Sequence, residues 1–147
     1  MPENAPECQW FFADVVLEIT VEDAEKNVVH INTHLVRAQT AEQAFKKAKS
    51  LGMQQEDRYL NSSGKNVEVR FRGLSELLPI YEDLTDGAEI WFKEKIGLSE
   101  EDVRAMVMRK QDLSLFRKRE KLDIPDYVPA QVWEKLENLG YPQKDKH

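Results

Sequence analysis

Apolar and polar positions alternate with a period of two in several stretches of the chain, with one clear helical stretch among them. In residues 66–72, Val67, Val69 and Phe71 fall on one side and Glu68, Arg70 and Arg72 on the other. In residues 88–93, Ala88, Ile90 and Phe92 alternate with Glu89, Trp91 and Lys93. A period of two predicts half-buried strands. Gly73, the Leu77-Leu78-Pro79-Ile80 segment and an Asp86-Gly87 turn signal lie between these two. Upstream, residues 10–21 predict a long first strand, with Phe11, Ala13, Val15, Leu17, Ile19 and Val21 as its apolar face. Residues 27–38 predict a second, in which Val29, Ile31, Thr33 and Leu35 alternate with Val28, His30, Asn32, His34 and Val36. The short connection makes these two an antiparallel hairpin.

Residues 40–52 predict the clearest helix. Thr40 and Gln43 have the spacing of a capping box. Ala41, Ala44, Phe45, Ala48 and Leu51 form one stripe with Phe45 as the expected anchor, and Gly52 supplies a left-handed stop. Residues 54–65 read as a polar loop turning at Asn61-Ser62-Ser63-Gly64. Past residue 96, Ser99 caps a further helix that residues 111–122 extend after a break. Prolines keep residues 123–129 extended, and Val132, Trp133, Leu136 and Leu139 line a last helix over 130–139. The order implies an α+β domain: an antiparallel four-stranded sheet (β-β-α-β-β) with one helix packed on one face, then a C-terminal helical extension. The core domain is expected at 10–96 and the extension at 97–147, the latter not an independent domain.

A length of 147 residues fits this single core. No apolar run approaches the roughly 20 residues of a membrane span, and the N-terminus lacks a signal-peptide layout. Cys8 is the lone cysteine, which gives no disulfide framework. A cytoplasmic protein without membrane attachment is expected. The net charge of −6 lies entirely in residues 1–96. Between 104 and 121 the chain is locally basic, through Arg104, Arg109, Lys110, Arg117, Lys118, Arg119 and Lys121 against only Asp112 and Glu120. A solvated helical face accounts for that run; nucleic acid bound at Arg109, Lys110, Arg117, Lys118, Arg119 and Lys121 is the alternative.

Motifs for catalysis are missing. His30 and His34 have the spacing of a helical zinc pair, but they sit in a strand pattern without the glutamate of HExxH. Four residues of strand span about 13 Å, too far for one ion. Gly64-Lys65 lacks the remainder of a P-loop, and neither GxGxxG nor GxSxG occurs. No metal, no cofactor and no enzymatic activity are expected. What the pattern does offer is a second sheet face, where Asp14, Glu18, His30, Asn32, His34, Glu68, Arg70, Arg72, Glu89 and Lys93 mix with Trp10, Phe12, Val16, Val28, Val36 and Trp91. Three occupants compete for it. The C-terminal helices can fold back, a second copy or another protein can dock, or single-stranded nucleic acid can stack on the aromatic rings. The favoured expectation is a protein-binding or adaptor module, self-associating or toxin-neutralising, that uses Trp10, His30, His34, Arg70, Arg72 and Trp91.

Five segments also carry a family resemblance. They are Trp10-Phe11-Phe12-Ala13, Val29-His30-Ile31-Asn32-Thr33, Ala41-Glu42-Gln43-Ala44-Phe45, Arg70-Phe71-Arg72-Gly73-Leu74 and Asp86-Gly87-Ala88-Glu89-Ile90. Together they resemble a bacterial family of domains of unknown function, family 4288, over about residues 10–96. The resemblance implies a stand-alone bacterial α+β domain and brings no activity, cofactor or catalytic residue with it.

Overall fold

A computed structural model describes residues 8–117 and 125–138. Its elements are strands β1 (Gln9–Val21) and β2 (Val28–Ala38), helix α1 (Ala41–Gln54), strands β3 (Asp57–Leu60) and β4 (Asn66–Pro79), and helices α2 (Glu100–Met106) and α3 (Ala130–Asn138), with a 3₁₀ turn at Lys110–Asp112. The strands form one antiparallel sheet in the order β2-β1-β4-β3, with α1 on one face. This is the expected α+β architecture, reached with one strand in a different place and another with its two sides exchanged.

The first difference is the fourth strand. Residues 88–93 form none; instead the polar stretch before Asn61 supplies β3, and Asn61 turns it into β4. Its Oδ1 accepts from the Ser63 and Lys65 amides at 3.0 and 2.9 Å. The β4 strand then runs 14 residues, past Gly73, to Pro79. Two register irregularities against β1, at Asp14/Val15 and Val16/Leu17, keep it paired. Gly73 tolerates the φ of +137° found there because it has no Cβ. The place beside β1 is therefore filled by the continuation of β4. At 91 and 92, two consecutive rings stack at 5.4 Å, whereas a strand would send them to opposite faces.

The second difference is the side of β2. Its register against β1 pairs Ala13 with His34, Val15 with Asn32 and Leu17 with His30. Directly opposed residues share a face, so His30, Asn32 and His34 lie on the α1 side, and Val29, Ile31 and Leu35 on the other. Val36 and Ala38 settle this parity, because they are the β2 residues buried beneath the start of α1. Strand β4 keeps its expected sides: Val67, Val69 and Phe71 oppose Val21, Ile19 and Leu17 under the helix.

Helix α1 is capped as expected at its start, where Thr40 Oγ1 accepts from the Gln43 amide at 3.1 Å. In return, Gln43 Oε1 accepts from the Gln39 amide at 3.0 Å. The buried stripe is Ala44, Ala48 and Gly52, with Leu51 beside it. Phe45 is 45% exposed and is not the anchor. Gly52 lies inside the helix rather than ending it; a Cβ there would come within 2.3 Å of Phe71 Cε1. Small residues thus let the helix sit close on the sheet.

The rest of that face meets the stretch 125–129. Tyr59 Oη donates to the Tyr127 carbonyl, Asn61 Nδ2 donates to the Asp126 carbonyl at 2.9 Å, and Asn61 bridges Pro129. The Tyr127 ring meets the His30 ring edge-on at 5.4 Å. Since Tyr59 is on β3 and His30 on β2, Tyr127 reaches across the two strands between them. The stretch 125–129 therefore lies on the helix side of the sheet.

Burial first, then the Asp57 carboxylate and Tyr127, push the Tyr59 phenol above its ordinary 10.0. The folded state holds that proton more tightly than the unfolded chain does. The contribution is complete below pH 10 and is lost as pH rises through the raised value. A phenolate also cannot donate to Tyr127. Denaturant titrations repeated above pH 10 should show wild type losing stability faster than Tyr59→Phe; parallel losses would show that the bond holds nothing.

Candidate functional site

The face away from α1 is built by alternation. Strand β1 contributes Phe12, Asp14, Val16 and Glu18; β2 contributes Val29, Ile31, Thr33 and Leu35; β4 contributes Glu68, Arg70, Glu76 and Leu78. Its centre is a polar lattice. Thr33 Oγ1 donates to Asp14 Oδ1 at 2.5 Å and Asn27 Nδ2 to Glu18 Oε2 at 2.7 Å. Arg72 Nε stands 3.9 Å from the other Glu18 oxygen, and Arg58 pairs with Glu68 at 3.5 Å. These are exposed or half-exposed pairs, so each contributes about 0–1 kcal/mol; they set the face's charge pattern more than its stability.

Around this centre the face is apolar at one end and along one margin. Trp91 lies on Phe12 with ring centroids 4.9 Å apart, and Phe92 stacks on Trp91. Phe12 is thereby buried to 1%, although Trp91 keeps 47% of its own surface exposed. Leu35 lies opposite Phe12 in the register. From there the β2 margin runs through Ile31 to Val29, with exposures of 50%, 59% and 51%. At the near corner the Arg37 guanidinium sits over the Trp10 ring, 5.8 Å from its centroid.

Of the six residues expected to act together, Trp10, Arg70, Arg72 and Trp91 are associated with this face. His30 and His34 are not. His34 Nε2 lies 3.0 Å from Gln55 Nε2 at the end of α1, which makes that ring nitrogen the acceptor of an amide proton. His30 meets Tyr127. In their place stand Val29, Ile31 and Leu35, which alternation alone assigned to the core. Among the described residues, no group of three His, Cys, Asp or Glu side chains could hold a metal ion.

The described part of the basic segment forms no joint surface. Arg109 Nε is bound by Asp112 at 2.8 Å, Arg104 by Glu100 at 3.2 Å, and Arg117 donates to Ser114. Lys110 Nζ lies over the Phe116 ring at 5.0 Å. Lys118, Arg119 and Lys121 lie outside the described residues. No described helix is long and apolar enough to cross a membrane.

One antiparallel sheet with a helix on one side and a largely open opposite side defines a small α+β domain. The chain belongs to the family described as Domain of unknown function (DUF4288), whose model matches residues 10–92. That stretch takes in the whole sheet, α1 and the segment that lays Trp91 on Phe12. No curated protein and no solved structure matches the chain.

Proposed function

We propose that the chain is a non-catalytic protein-binding module whose contact surface is the open face of the sheet. One observation carries this reading: β2 turns its histidines and asparagine toward the helix and leaves Val29, Ile31 and Leu35 at least half exposed. Full burial of such a side chain contributes about 1.5–3 kcal/mol, so the isolated domain leaves stabilisation unused along one margin. Apolar strips rimmed by charge mark contact surfaces, and here Arg37, Arg70 and Arg72 form the rim. The carboxylates on the face support a binding role, since Asp14, Glu18 and Glu68 are each tied to a neighbour.

The test is cross-linking in cells combined with a mass measurement on the purified chain. Both are run for wild type, for Leu35→Ser with Arg72→Ala on the face, and for Lys46→Ala with Lys49→Ala on exposed α1 positions. The face variant should lose an association that wild type and the helix variant retain. Identical cross-link patterns and masses for all three would remove the reading.

A further inference from the structure

The margin that leaves Val29, Ile31 and Leu35 exposed is also a sheet edge, and its backbone specifies an occupant. The Trp10 carbonyl accepts from the Ile80 amide at 2.8 Å, so it points to β4. Along a strand, N–H and C=O groups alternate in direction, which turns the odd-numbered residues of β1 toward β2. Their partners Val28, His30, Asn32, His34 and Val36 are thus bonded inward. The N–H and C=O groups of Val29, Ile31, Thr33, Leu35 and Arg37 point outward, where no described strand lies. Lys47 Nζ donates to the Arg37 carbonyl at 2.7 Å, which agrees with that direction and closes one end. Four residues remain whose outward groups meet no strand among the described residues.

Long edges are normally blunted by proline, lysine, a bulge or an inward charge. Between Val28 and Val36 strand β2 has none of these; its one charged residue, Arg37, stands at the end that Lys47 closes. The strand pairs with β1 through eleven consecutive residues without a register shift, and Val28–Ala38 contains no Pro, Lys, Asp or Glu. Resting on the binding role given above, we propose that the occupant of this edge is a second copy of the chain, joined β2 to β2 antiparallel about a twofold axis at Asn32. That register pairs all four open residues with one another: Val29 with Leu35 of the second copy, Ile31 with Thr33, and the reverse. Centring the axis one residue earlier pairs Leu35 with Asn27, outside the strand. Centring it one later pairs Val29 with Arg37, whose carbonyl is already taken.

Charge selects the same arrangement. One end of the edge carries Arg37 and Lys47; the other adjoins the loop holding Glu22, Asp23 and Glu25 against Lys26 and the Lys65 that pairs with Asp23, which leaves it one negative charge. An antiparallel copy lays each basic end beside an acidic loop, and a parallel copy would stack like on like. On the open face, Val29 meets Leu35 and the two apolar margins become one strip across an eight-stranded sheet. On the helix face, Asn32 meets Asn32 in a non-hydrogen-bonded pair, with Cα atoms about 4.5 Å apart.

The full-length chain should sediment at twice 17.1 kDa at micromolar concentration. Ile31→Lys, an exposed position, should sediment as a monomer with an unchanged circular dichroism spectrum. In a Cys8→Ser background, Asn32→Cys should form a covalent dimer on mild oxidation, because that Cα separation fits a disulfide; Thr33→Cys, facing Ile31, should form far less. A wild-type monomer at the highest attainable concentration overturns the proposal, as does a dimer that survives Ile31→Lys and leaves Asn32→Cys unlinked. Slow amide exchange at Ile31 in a monomer also overturns it, by giving the edge to a segment of the same chain. If the chain is monomeric yet the face variant above still loses its cross-links, the binding role stands and only the second copy falls.

Discussion

Phe12→Ala should lower the unfolding free energy by about 3–5 kcal/mol, the range for removing a buried aromatic side chain. Phe12 is 1% exposed although it points away from α1. Its burial comes from Trp91, 4.9 Å away between centroids, and from Leu35 and Leu78 beside it in the register. The substitution removes the ring on which the segment after β4 rests, so tryptophan emission should shift toward solvent along with the loss of stability. Urea titrations with an unchanged slope would assign the loss to the native state. Phe45→Ala is the internal comparison: at 45% exposure it should cost well under half as much. Equal costs would mean that Trp91 does not protect Phe12 in solution.

The second large effect is expected at a position with no side chain. Gly52→Val should destabilise by about 3 kcal/mol or more, at the top of the range for overpacking. Even a Cβ would lie 2.3–2.8 Å from three atoms of the Phe71 ring. Those atoms are the body of the ring, so relief requires moving Phe71 or lifting the end of α1. Valine's better intrinsic helix propensity, worth under about 1 kcal/mol relative to glycine, offsets only part of this. Phe71→Leu added to Gly52→Val should recover some of the stability in thermal or denaturant unfolding. If Gly52→Val alone is neutral, the helix does not approach the sheet this closely.

Most of the scaffold was legible in the sequence. The Thr40 cap, the Ser99 cap, the first hairpin and the sides of β4 all follow from local rules, because each is decided by neighbours within a few residues. The fourth strand was misplaced for a tertiary reason. Residues 57–60 alternate too weakly to announce themselves and become a strand only because β4 offers an edge to pair with. Residues 88–93 alternate well, yet β4 continues into the place beside β1. The β2 sides show the limit more sharply: Val29, Ile31, Thr33 and Leu35 fit a face directed inward, and Val36 with Ala38 overrule them. The same inversion moved His30 and His34 away from the candidate site. The open margin could have been suspected from a different sign in the sequence, namely an eleven-residue strand without proline or lysine whose one charged residue, Arg37, lies at its end.

The opposite border of the sheet bears on how far any association could go. Strand β3 is only four residues long, and Pro129, which has no amide proton to offer, bridges Asn61 just beyond its end. A molecule with two long, receptive borders can add neighbours indefinitely and grow into a fibre. With one border receptive and the other short and shielded, growth by the proposed pairing would stop after a single union, as a closed pair of fixed size.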